Sequence, residues 1–229
     1  MYAAPSRAMP ARVTLVLIGS LVSSYGYLMT TTAEVGNGPL FAVQDALHER
    51  TGMSLGMTAI VAGTGFALLA AVLGTRPGAG TVAIPVLTGI TVALLEPFAP
   101  HVEGVVVRWA EFGVGTTVMM LGAVMMFRGG FGASALDSTM FGLARLAGTT
   151  PARARIVLEA TMALTGAAFG GRVGLGTVAM AVTVGPLFAF WLRRLPAVAG
   201  STPTPAAGDP GDAGPPHRVR TDRMEGAQP

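Results

Sequence analysis

The chain has 229 residues, of which 51% are hydrophobic and only 12% charged, and its mean hydropathy is +0.58. Its apolar residues fall in blocks of helix-spanning length, which excludes an ordinary soluble domain and implies an all-α integral membrane protein with the lipid bilayer as its first partner. The formal charge of +3 comes without a single lysine, and most arginines flank apolar blocks, so membrane topology accounts for the basic balance and no nucleic-acid partner is expected.

Residues 1–11 read as a short cytoplasmic lead carrying Arg7, followed by Arg12 and a first span from Val13 to about Thr32. A cleaved signal peptide is the alternative, but the length of the run and the lack of a clear cleavage site favour a retained helix. Glu34 to Gly52 then holds Gln44, Asp45, His48, Glu49 and Arg50 too close together for lipid, and its apolar part is too short to cross. It reads as an interfacial or re-entrant helix, entered through Gly36, Gly38 and Pro39 and shielded by protein if it lies deep.

Span two covers about Leu55 to Leu73, and a glycine turn bearing Arg76 leads to span three, about Gly80 to Leu95. Glu96, Pro97, Pro100, His101 and Glu103 form an exposed connection before span four, about Val105 to Phe127. Gly130 to Gly148 is a second short segment, less polar than the first, with Asp137 as its acid. Span five runs from about Ile156 to Phe169 behind Arg153 and Arg155, and span six from about Leu175 to Leu192. Residues 196–229 are rich in proline and glycine, lack large apolar side chains, and read as a disordered cytoplasmic tail whose Arg218, Arg220 and Arg223 are diluted by acids.

The string from Gly74 to Gly89 returns 96 residues later, from Gly170 to Gly185, and pairs such as Arg12/Arg108, Gly19/Gly115 and Gly26/Gly122 extend the match. The chain is thus expected to hold two repeats, residues 12–104 and 105–195. Each has three spans and one short segment, so the second copy enters from the opposite side, giving six transmembrane helices in two inverted three-helix repeats. If both short segments crossed, each copy would have four spans and the repeats would be parallel, at the cost of driving Arg50 and its acidic neighbours against hydrocarbon. With the amino terminus inside, Arg7, Arg12, Arg76, Arg128, Arg145, Arg153, Arg155, Arg193 and Arg194 lie inside, and only Arg50, Arg108 and Arg172 outside. That bias places both termini in the cytoplasm.

The order of GNGP at Gly36 to Pro39, TGMSLG at Thr51 to Gly56, the turns at Gly78 to Thr81 and Gly174 to Thr177, and Gly185-Pro186 resembles the YczE/YyaS/YitT group of bacterial integral membrane proteins. The resemblance covers about Arg12 to Leu195 and implies a bacterial inner-membrane location, but no substrate. It also implies a GxGPWD-like first short segment; here Pro39 is followed by Leu40 and Phe41, and the acid occurs only in the second copy, as Asp137.

The duplicated turns Gly78, Gly80, Thr81 and Gly174, Gly176, Thr177 lack a phosphate-loop pattern. They are expected either to pack and cap helices or to present helix amides to a polar solute across the repeat axis. Arg172, an arginine on the disfavoured side, is expected to pair with an acid or line an entrance. Glu111 at i,i+3 from Arg108 and Glu159 at i,i+4 from Arg155 suit local ion pairs, or else line a solute or proton path, as Asp137 does if its acid is functional. The hydroxyls of Ser23, Ser24 and Thr30 to Thr32 satisfy helix contacts. There is no cysteine, no histidine at metal-ligand spacing and no hydrolytic set, so no metal, cofactor or enzymatic role is expected. Two functions compete: a small-solute transporter or exporter, and a non-transporting partner that stabilises or regulates another membrane complex, with a homo-oligomer compatible with either.

Overall fold

A computed structural model describes residues 8–75, 78–130 and 134–196. Arg7, Arg76, Gly132 and the tail beyond residue 196, with its three arginines, lie outside the described residues. The rest is helical, in the order α1 Ala8–Thr32, α2 Pro39–Thr51, α3 Leu55–Val72, α4 Ala79–Leu95, α5 Val105–Gly129, α6 Ala135–Leu146, α7 Pro151–Ala168 and α8 Leu175–Arg194, with a 3₁₀ turn at Glu96–Phe98.

Local chemistry sets these boundaries. Ser54, Ser134 and Thr150 each accept a hydrogen bond from an amide in the first turn of α3, α6 and α7, satisfying a donor that has no helical partner. Pro39 and Pro151 occupy first-turn positions, where a missing amide proton costs nothing. Gly52 and Gly130 close α2 and α5 in the left-handed conformation. Helix α7 thus begins at Pro151, ahead of the expected Ile156, and takes in Arg153 and Arg155. With Glu159 it carries three charges over 18 residues.

Burial runs opposite to that of a soluble protein. Val72 is 84% exposed and Leu68, Leu94, Leu164 and Leu175 also face outward, whereas Ser20, Ser24, Thr58, Thr116 and Thr139 are almost wholly buried. Inward hydroxyls satisfy themselves within the bundle: Ser20 and Ser24 both meet Thr91 of α4, at 2.9 and 2.6 Å, and Thr116 donates to the carbonyl of Phe112 one turn back. Among the described residues five helices, α1, α3, α4, α5 and α8, are long and apolar enough to cross a bilayer. The expected sixth span, α7, falls short of that composition because of its three charges.

The centre of the molecule is the crossing of α1 and α5. A Cβ on Gly26 would come within 2.3 Å of the Met119 amide nitrogen, and one on Gly122 within 2.3 Å of the Ser23 amide nitrogen, so the backbones touch where both helices lack side chains. Gly19 faces Gly122 and Met126, while Gly26 faces Gly115 and Met119; α5 numbering falls as α1 numbering rises, so the helices are antiparallel. The short helices lie across from the opposite half of the chain, α2 on α7 and α6 on α3, and the long ones complete the bundle through α1 with α4 and α5 with α8.

Candidate functional site

At the end of the bundle where α1 finishes and α5 starts, α2 brings one face of a short helix against the α1 terminus. Glu34 ends α1 at φ 56°, a left-handed conformation uncommon for a residue other than glycine. Gly36 follows at φ 107°, and a Cβ there would meet the Gly174 backbone at 2.6 Å. This close approach draws in the α7–α8 turn: the Asn37 amide donates to the Arg172 carbonyl at 2.8 Å, and the Gly176 amide to the Val35 carbonyl at 2.8 Å. Asn37, buried, also donates through its side chain to the Thr31 hydroxyl at 2.9 Å.

These elements line a half-open cavity of about 480 Å³. Its walls hold Glu34, Asp45 and Glu49 from the first short segment, Glu96 from the 3₁₀ turn and Glu103 from the following loop, with Arg108 and Arg172 as the arginines. Arg108 pairs with Glu34 at 3.1 Å, and Arg172 with Glu49 at 3.6 Å while also donating to the Thr31 carbonyl. No such pair holds Asp45, Glu96 or Glu103 among the described residues. Asp45 is only 3% exposed, and its Oδ2 has no hydrogen-bond partner there. Burial pushes its carboxyl up to about 6, against the pull of the Arg172 guanidinium, the Asn37 side chain and His48.

Behind the cavity wall lies Glu111. Thr32 lines the cavity and donates to Glu111 Oε1 at 3.1 Å; Glu111 is buried and its Oε2 has no partner among the described residues. The local pairing expected between Arg108 and Glu111 is therefore corrected: Arg108 reaches Glu34 across the helix crossing, and Glu111 accepts from a hydroxyl instead. Arg172, expected to pair with an acid or line an entrance, pairs with Glu49 and is among the residues lining the cavity.

The other candidates gather elsewhere. Asp137 accepts from the Ser134 hydroxyl and lies 3.5 Å from Arg155, which binds Glu159 at 2.8 Å as the i,i+4 spacing predicts. This exposed trio follows the far end of α5 and is separate from the cavity. The two glycine turns act as local caps: Thr81 and Thr177 accept from the amides of Gly78 and Gly174, each at 3.1 Å. Gly174 and Gly176 pack on Val35 and Gly36, Gly80 is buried at the start of α4, and no described contact joins one turn to the other.

Sequence reasoning passed over Asp45, Glu34, Glu96 and Glu103 as signs of an exposed or interfacial location. The usable signal was their coincidence: the carboxylates of two separate connections fall on the same side as the disfavoured Arg108 and Arg172. Outward apolar helices, inward hydroxyls and a charged cavity at one end define a multi-pass helical membrane protein. Residues 10–193 match a family of unknown function, DUF6198, and the chain belongs to that family. No curated protein and no solved structure matches it.

Proposed function

We propose that the protein is a small-solute transporter or exporter of the bacterial inner membrane, built from six spanning helices in two inverted repeats with both termini cytoplasmic. The observation that carries this reading is a charged cavity open at one end of the bundle and lined from both halves of the chain. At the other end the position 96 residues beyond Thr32 is Arg128, whose guanidinium donates to the carbonyls of Leu192 and Leu195 at 2.6 and 3.3 Å. A charged cavity open at one end of the bundle suits a carrier with its site facing one side.

The repeat has support of its own. Leu55 and Pro151, which start α3 and α7, lie 96 residues apart, as do Ala79 and Leu175, which start α4 and α8. Exchanging the halves turns the α2–α7 contact into α6–α3 and the α1–α4 contact into α5–α8. The antiparallel α1–α5 crossing suits an exchange axis that lies across the helices, in the membrane plane. As a sixth span α7 would keep its charges near one end, with Arg155 neutralised by Glu159 and Asp137. The resemblance to the YczE/YyaS/YitT group belongs to this reading.

One observation favours the rival, a non-transporting partner or homo-oligomer. Gly89 of α4 is filled by Ile60 and Gly56 of α3, whereas its counterpart Gly185 on α8 has nothing within 4 Å among the described residues. Reconstitution decides between them. Purified protein in liposomes, incubated with pooled small solutes, is predicted to accumulate at least one solute in the lumen; accumulation no greater than in protein-free liposomes would leave the partner reading.

A further inference from the structure

The cavity is built for positive charge. Two of its five carboxylates, Glu34 and Glu49, are matched by Arg108 and Arg172; Asp45, Glu96 and Glu103 are not paired among the described residues. An anion would have to displace Glu34 or Glu49 from its arginine, whereas a cation meets carboxylates that have none. Asp45 is the informative member. It is nine-tenths buried and more, it lines the cavity, and one of its oxygens has no donor. A buried carboxylate oxygen without a donor is costly, and Asp45 is one of the residues that line the cavity. Among the described residues no three acids or histidines converge as metal ligands.

We propose that this cavity takes a small organic cation, a protonated amine, whose ammonium group donates to the Asp45 carboxylate and competes there with a proton. The proposal rests on the transporter reading, for which it names the solute class. At about 480 Å³ the cavity has the size of a small-molecule site. Burial, which pushes Asp45 up to about 6, puts the competition near neutral pH. The groups facing Asp45 are Tyr27 from α1, His48 and Glu49 from its own helix, and Arg172 from the α7–α8 turn. Glu34, Glu96, His101, Glu103 and Arg108 complete the ionisable wall. Helix α3 adds no charge, and of the α7 charges Arg155 and Glu159 are joined to each other and to Asp137.

The test is equilibrium binding to the full chain in nanodiscs of zwitterionic lipid, with 1,4-diaminobutane and methylamine as probes and glutarate as the anionic control. Both amines are expected to bind at about pH 8 and about tenfold more weakly at about pH 5, because a carboxyl titrating near 6 is then mostly protonated. Asp45→Asn is expected to lose amine binding and its pH dependence, while Glu159→Gln, which removes a carboxylate from the trio separate from the cavity, stays within about threefold of wild type. Amine binding by wild type that is absent, or unaltered between the two pH values, overturns the proposal without recourse to any variant. So does glutarate binding in preference. Amine binding without flux in liposomes would overturn the transporter reading and leave the site; flux of some solute without Asp45-dependent amine binding would overturn the site and leave the transporter.

Discussion

Asp45 sits where solvation and charge oppose each other, and the sign of its effect on stability follows. Its carboxyl titrates near 6 in the fold against an ordinary value of 3.8, so the folded state disfavours the charged form. The fold is favoured most below about pH 4, and up to about 3 kcal/mol is lost as pH rises through 6. Asp45→Asn should therefore melt higher than wild type at pH 8, with the gap closing toward pH 4; a constant gap would show that the carboxyl is not the cause. The duplicated threonines differ in kind. Thr81→Val and Thr177→Val each leave an amide at Gly78 or Gly174 without its acceptor, so each should cost about 1 kcal/mol in thermal unfolding without altering solute affinity. A changed affinity at unchanged stability would return those hydroxyls to the solute path. Local pairs were legible at this scale, as Arg155 with Glu159 shows. Arg108 was misjudged because i,i+3 spacing weighs only partners on its own helix, and Glu34 approaches from the connection between α1 and α2.

Helices were the most legible feature of the sequence, because apolar blocks and glycine, proline and serine punctuation mark their ends directly. The starts of α2, α3, α4, α5 and α8 follow that punctuation, whereas α7 extends back to Pro151 because Thr150 caps it, which apolar content alone does not reveal. Packing was readable only as glycine pairs without partners. Gly19, Gly26, Gly115 and Gly122 recur at matching positions, but that they face one another requires the crossing of α1 and α5. The consequence is a contrast within one helix. Gly122→Ala would drive a methyl into the Ser23 backbone and should cost about 1–3 kcal/mol or more, whereas Gly113→Ala meets nothing within 4 Å and should be neutral or stabilising by up to about 1 kcal/mol. Yield and melting temperature of detergent-purified protein distinguish them; equal loss from both would refute the α1–α5 crossing as the central contact.

Over the whole molecule, the carboxylate-lined cavity at one end of the bundle links fold to proposed activity. A cavity rich in carboxylates opens where α1 ends, and the equivalent position at the other end is tied by Arg128 to the end of α8. The sequence pattern did not reveal the cavity, since the positions 96 residues beyond Asp45 and Thr32 are Phe141 and Arg128, and only packing shows what surrounds each. The arginine distribution makes the topological prediction: reporter fusions in the Glu96 to Glu103 loop should read exterior and those after Leu195 cytoplasmic, and a cytoplasmic loop would refute six spans with an inside amino terminus. The most direct measurement is uptake of radiolabelled 1,4-diaminobutane into proteoliposomes at pH 8, with wild type and Asp45→Asn at matched amounts of folded protein. Uptake by wild type well above protein-free liposomes, and its loss in the variant, is the predicted result; wild-type uptake equal to protein-free liposomes, or equal uptake by both proteins, would contradict transport through this cavity.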